Sequence, residues 1–387
     1  MNAGTTADIL ADLIAFPTVS RESNRALIDY CAAMLGDAGI DSRIIENDDG
    51  SRANLFATIG PADRPGVMLS GHTDVVPVDG QSWTRPPFRA STEDGRIYGR
   101  GTADMKGFVA AALMAARQAA GRDLATPLHL ALSYDEEIGC VGVRSLIDML
   151  AAAPIQPLMC IFGEPTGMAI ATCHKGKTAI EARCIGSEAH SSLAPTAVNA
   201  IHLACDLIAE IRAVQDDLAR NGFRDEAYDV PYTTLHARLI DVGVALNIVP
   251  GTARVTFEIR NIPADDPDAI LHRLETALHP VIKAARQRAP QADIILDVTN
   301  SYPGLETPLD HELVTLVTEL TGSNRRIKVA FGTEGGLFSR NLDIPTIVCG
   351  PGFMDQGHKP DEFISLDQLA SCDRMLAALN ERLVKGL

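Results

Sequence analysis

The sequence predicts an α/β fold: a mixed sheet covered by helices, with an inserted ferredoxin-like α+β domain. Three observations carry the layout. Short apolar runs alternate with helical patterns in the first half. From about residue 176 the runs change to apolar–polar alternation. After about residue 303 the first texture returns.

In the first half, "GVMLSG" (66–71), "LHLALS" (128–133) and "LMCIF" (158–162) read as buried strands. Between them, "GFVAAALMAARQAAG" (107–121) and "VRSLIDMLAAAP" (143–154) read as helices, stopped by Gly121 and Pro154. The opening "MNAGTTADILADLIAF" has no basic region and no small-residue cleavage site. It reads as an amphipathic helix of the fold, not a secretory signal. "KTAIEARCIG", "YTTLHARLI" (232–240), "ARVTFEIR" (253–260) and "ADIILDV" (292–298) alternate like half-solvated strands. Two helices separate them: 198–220, and one opened by "PADDPDAI" with acids in its first turn. The order β-α-β-β-α-β predicts a ferredoxin-like insert over 176–302, inside a discontinuous main domain of 1–175 and 303–387. "LVTLVTEL" and "IPTIVCG" (344–350) then supply a further helix and a further buried strand.

Composition excludes several classes of function. A net charge of −16 and a single Trp argue against a nucleic-acid partner, which needs cations for phosphates and aromatics for bases. No run of eighteen apolar residues predicts a membrane span. Eight cysteines without a C-x-x-C pair suit reduced, mostly buried thiols of a cytoplasmic protein.

The chemistry sits where buried strands end. "GVMLSG" runs into His72 and Asp74, "LHLALS" into Asp135, Glu136 and Glu137, "LMCIF" into Glu164, and "PTIVCG" into a loop with His358. Asp104 precedes the Ala-rich helix. In open α/β sheets ligands bind outside the carboxyl ends of the strands. If these strands are parallel neighbours, two His and several carboxylates converge. A His/carboxylate cluster without thiolates suits zinc, cobalt or manganese. Two ions sharing one carboxylate would use all the candidates, with ions about 3.5–4 Å apart and a nucleophilic water between them. His72 and Asp74 share one face of an extended segment, so the Asp74 carboxylate is expected to accept the second imidazole N–H. His129, His202, His236, His272, His279 and His311 lie on strand or helix patterns and read as structural. "GRGTADMKG" contains G-x-G but follows no buried strand as a dinucleotide site requires.

"SGHTDVVP", "GRGTADMKG", "YDEEIG", "GEPT", "AHSS", "NIVP" with "FEIR", and "GHKPDEF" follow one another across most of the chain. As a set they resemble the dinuclear zinc amidohydrolases and exopeptidases of the acetylornithine deacetylase, succinyl-diaminopimelate desuccinylase and carboxypeptidase G2 type. The resemblance implies two zinc ions, with cobalt a possible substitute. It implies that His72 and Glu164 hold one ion, Glu137 and His358 the other, and that Asp104 bridges both. It makes Glu136 the general base, with Asp74 supporting His72. His190 would reach across a homodimer, formed through the insert, to polarise the scissile carbonyl. Asn247 and Arg260 would bind the substrate, Arg260 through a carboxylate, as a bidentate Arg pair suits. A cis peptide at Asp104–Met105 is also implied.

"FGEPTGM", "CHKGK", "FGTEGGLFSRNLDIPTIVCGPG" and "QGHKPDEF" look most like the acetylornithine deacetylase branch. That implies removal of the acetyl group of N-acetyl-L-ornithine, a step of arginine biosynthesis. A desuccinylase, another N-acyl amino acid deacylase, a carboxypeptidase or a dipeptidase is the alternative. Glu334 would either attract a cationic substrate side chain or be a loop carboxylate bound to backbone, the second being preferred. An inactive metal-binding scaffold is disfavoured, because every implied ligand, the base and His190 are present.

Overall fold

The computed structural model describes residues 4–387. The helix read over the opening segment covers Thr6–Ile14, capped by the Thr5 side chain and Asp8; residues 1–3 lie outside the described residues. The chain divides into two compact units. One comprises the chain through Cys173 with Leu305–Lys328 and Thr333–Leu387; the other comprises His174–Gly304 and Val329–Gly332.

The larger unit is built on a nine-stranded mixed sheet. Its order is Ser42–Glu46, Ala53–Ile59, Leu128–Ser133, Val67–His72, Met159–Pro165, Thr346–Gly350, Ile170–His174 and Leu305–Glu306, with Arg326–Val329 beside Ile170–His174. The four strands from Leu128–Ser133 to Thr346–Gly350 are mutually parallel. Every residue of these four is buried, as expected of strands covered on both faces. Ala53–Ile59 and Ile170–His174 flank them antiparallel, which makes the sheet mixed. The helix Gly107–Ala119 is buried at ten of its thirteen positions, and six of those ten are alanine. Small side chains let it lie close between the sheet and the C-terminal helix Leu366–Lys385.

The smaller unit has the βαββαβ order. Its sheet runs Thr234–Val242, Thr252–Arg260, Lys177–Ile185, Asp293–Tyr302, and every pair is antiparallel. Ala200–Asn221 starts at the Asn199 cap, and Pro267–Arg286 starts at the Asp266 cap with Pro at its first position. Both helices bury one apolar face on this sheet, with Leu203, Leu207, Leu274 and Leu278 against Ile180, Val255 and Phe257. The outer strand Thr234–Val242 leaves Leu239 and Ile240 exposed, and the following loop exposes Val244 and Leu246.

No helix among the described residues is long and apolar enough to cross a membrane. All eight cysteines are free thiols, and Cys205 alone is exposed.

Candidate metal centre

The four parallel strands deliver their chemistry to one edge of the sheet. His72 is the last residue of Val67–His72 and pairs in register with Ser133, the last residue of its neighbour. Glu164 is the penultimate residue of Met159–Pro165, and Pro165 is opposite Gly350. Gly163 is required here: a Cβ at this position would lie 1.9 Å from the Phe108 ring. Asp104 sits in the irregular turn Thr102–Lys106, joined to Met105 by a cis peptide bond.

Asp104 faces two ways. Its Oδ1 lies 3.2 Å from His72 Nε2, and its Oδ2 lies 3.0 Å from His358 Nε2. Glu164 Oε1 is 3.5 Å from the same nitrogen of His72, and Glu137 is 3.0 Å from the same nitrogen of His358. His72, Glu136 and Glu164 offer ligand atoms within 4.8 Å of one another, and so do His72, Asp104 and Glu137. Five of the sequence-predicted ligands and the predicted base therefore gather in one cluster. His72, Asp104, Glu136 and Glu164 are buried, Glu137 is partly buried, and the His358 side chain is 48% exposed.

One expectation needs correcting. His72 Nδ1 is 2.9 Å from the backbone carbonyl of Asp74, whereas the Asp74 carboxylate is 3.5 Å away. The closer carbonyl is the main acceptor, so Nε2 is left free to bind an ion. The Asp74 carboxylate accepts instead from the Ser20 hydroxyl at 2.7 Å and the Glu136 amide at 3.0 Å. It thus holds the turn that carries Glu136 and Glu137. Asp135 is in the left-handed region (φ 54°), accepts from the Arg21 amide and pairs with Arg52. That turn points Asp135 away from its two neighbours.

Crowding of buried carboxylates sets the electrostatics. Burial, and then the neighbouring acids, push Glu136 up to about 8. Burial followed by Asp104 raises Glu137 to about 7, and the same two causes put Glu164 well above the carboxylate range. Hydrogen bonds donated by its ring to the Asp104 and Glu137 carboxylates lift His358 to about 11. Burial opposes charge on Asp104, but the two imidazoles outweigh it and hold the carboxylate well below its usual range. Asp74, Asp104, Glu136, Glu137 and Glu164 thus share two imidazoles, and no Lys or Arg pairs with them among the described residues. Glu164 Oε2 is buried with no hydrogen-bond partner. An orphaned buried carboxylate oxygen and surplus negative charge are what divalent cations would satisfy. The donor set, imidazole and carboxylate without thiolate, fits a two-ion centre with an exchangeable position.

Comparison with known proteins agrees with this geometry. Peptidase family M20/M25/M40 matches residues 68–382.

The chain belongs to this family.

It is 35% identical over 365 residues to an acetylornithine deacetylase of Salmonella heidelberg, covering 92% of each chain. A Proteus mirabilis acetylornithine deacetylase is 32% identical over 384 residues, covering 97% of this chain and 96% of that one. The M20 family metallo-carboxypeptidase Sso-CP2 of Sulfolobus solfataricus shares the fold with a TM-score of 0.79. Its identity is 20%, over 99% of this chain and 100% of that one. This M20 chain is therefore a metal-dependent amidohydrolase.

The remaining predicted residues lie in the smaller unit. His190 is exposed, on the short strand Ala189–His190, which pairs with Ile248–Val249. Its Nδ1 accepts from the Ser192 amide at 3.2 Å, which puts the proton of a neutral ring on Nε2. Asn247 is beside it: its carbonyl accepts from the Ser191 amide at 3.0 Å. Arg260 pairs with Glu258 at 3.1 Å and lies 3.4 Å from the Tyr302 hydroxyl.

Glu334 is not the preferred backbone-bound loop carboxylate. It is fully buried, it accepts from the Ser133 hydroxyl at 2.9 Å and not from backbone, and its other oxygen has no hydrogen-bond partner. The six histidines read as structural join no cluster; His129 stacks on Phe56 and bonds to Thr58.

Sequence reasoning missed Cys140, Gln81, Arg100 and Glu362. The Cys140 thiol donates to Glu136 Oε1 at 3.3 Å. Arg100 and Glu362 form a fully buried ion pair at 2.7 Å. Both lie inside quoted motifs, yet nothing in a motif says that two of its charges meet across 262 positions.

Proposed function

We propose that this chain hydrolyses the amide bond of an N-acyl amino acid, first of all N-acetyl-L-ornithine, giving acetate and L-ornithine. The observation that carries the substrate is the 35% identity to an acetylornithine deacetylase over 92% of both chains. The buried His/carboxylate cluster supports the chemistry.

In this reading His72 and Glu164 hold one zinc ion, Glu137 and His358 the other, and Asp104 both. Zinc, or cobalt in its place, would polarise the scissile carbonyl and lower the pKa of the attacking water toward ~7. Glu136 takes the proton of that water and returns it to the leaving amine. A carboxylate raised by burial and neighbouring acids is suited to both halves of that transfer. Cys140 holds one of its oxygens through the thiol hydrogen bond.

His190 of a second copy would donate from Nε2 to the developing oxyanion, with Asn247 alongside it. Arg260 would bind the substrate carboxylate. The exposed apolar strand Thr234–Val242 supports a homodimer formed through the smaller unit, since an open apolar strand edge invites pairing. Free, mostly buried thiols support a cytoplasmic setting.

The test is a panel of N-acyl amino acids in which acyl group and side chain vary separately. N-acetyl-L-ornithine should give the highest kcat/KM, and chelation should abolish its hydrolysis. A higher kcat/KM for N-succinyl-diaminopimelate or a dipeptide overturns the substrate; unchanged turnover after chelation overturns the metal chemistry.

A further inference from the structure

We infer that Gln81, Arg100 and Glu362 form a clamp that sets His358 against Asp104 and so governs one of the two metal positions, the Glu137–His358 one; this rests on the dinuclear centre proposed above. His358 differs from the other ligands. It lies on a loop, its side chain is half exposed, and its backbone is in the left-handed region (φ 59°). Its place beside Asp104 must therefore be imposed by contacts to its backbone.

Those contacts converge on one guanidinium. The Gln81 amide donates to the His358 carbonyl at 3.0 Å. Gln81 Oε1 accepts from Arg100 at 2.5 Å and from the Trp83 indole at 3.0 Å. Arg100 also donates to the Lys359 carbonyl at 3.3 Å and to Glu362 Oε2 at 2.7 Å. The other oxygen of Glu362 accepts from the amides of Ala103 and Asp104, at 2.9 and 3.1 Å. A continuous hydrogen-bonded path thus runs from the His358 backbone to the Asp104 backbone, through Arg100 and Glu362, both 1% exposed. It does not include His72 or Glu164. Such a path fixes the spacing of Asp104 and His358 and leaves the His72–Glu164 half alone. These are positioning residues, acting on the ion only through Asp104 and His358.

The experiment is a titration of the metal-free chain with Co²⁺, followed by calorimetry and by visible absorption. The wild-type chain takes up two ions. Gln81→Ala binds one ion as the wild type does and the other about 10–100-fold more weakly, the usual cost of losing a group that orients a ligand. Its residual spectrum matches that of His358→Ala. Gln81→Glu keeps the acceptor for Arg100 and Trp83 but loses the donor to His358, and shows the same selective loss. Wild-type affinity at both positions in the two Gln81 variants overturns the clamp. So does equal weakening of both positions with a lower Tm, which is a general structural effect. A wild-type chain that takes up fewer than two ions overturns the dinuclear centre itself.

Discussion

Asp104 and His358 meet at 3.0 Å through Oδ2, while Oδ1 of the same carboxylate lies 3.2 Å from His72. One aspartate thus joins the two halves of the cluster.

Asp104→Asn should uncouple them. The variant should bind fewer than two ions per chain, with a loss of affinity at least as large as the roughly 100-fold that loss of a supporting group costs. Metal content after dialysis is the measurement. Two retained ions at wild-type affinity would remove Asp104 from the bridging role.

Glu136→Gln keeps the shape of the side chain and removes its basicity. Metal content and KM should stay near wild type, while kcat falls by about 10²–10⁴, the usual worth of a positioned proton carrier. Steady-state kinetics with metal analysis separate the two effects. A variant that retains full kcat shows that another group carries the proton.

His190→Ala and Glu136→Gln chains should each be nearly inactive, yet active when mixed and reassembled. With equal mixing, half the dimers are mixed, and one of their two sites is intact. The recovery should therefore approach about a quarter of wild type. No recovery at any ratio places His190 in the same chain's site.

His129 tests a pH effect away from the metals. Burial lowers its pKa to about 4 from the ordinary 6.5. Between those values the unfolded chain binds a proton that the folded chain does not. Stability therefore rises with pH across this window and is lost as pH falls from 6.5 toward 4, by up to about 3 kcal/mol. His129→Gln should flatten that limb relative to wild type in urea midpoints taken from pH 7 to 4.5. Parallel curves for the two chains would sink the assignment.

Much of the cluster was legible because a strand end is a local event. "GVMLSG" before His72 and "LHLALS" before Asp135 announce themselves by apolar runs that stop at polar residues. The strand Leu128–Ser133 has the bounds that its apolar run predicts. The strands Ala53–Ile59 and Ile170–His174 and the helix Leu366–Lys385 did not stand out, and the two strands, antiparallel to the core, make the sheet mixed. Hydrophobic period describes one segment at a time and says nothing of a neighbour's direction.

By itself, then, the sequence determined the α/β texture, the βαββαβ insert and the residues whose chemistry suits a pair of divalent ions. It did so because period, caps and residue type are properties of a few adjacent positions. Only the tertiary structure decided that the Asp74 carbonyl, more than its carboxylate, orients His72, and that Glu334 is buried against Ser133. Only it joined Arg100 to Glu362. Each of these depends on the separation and angle of groups far apart in the chain. Differences of about half an ångström decide which acceptor wins, and such differences are set by packing, not by spacing along the sequence.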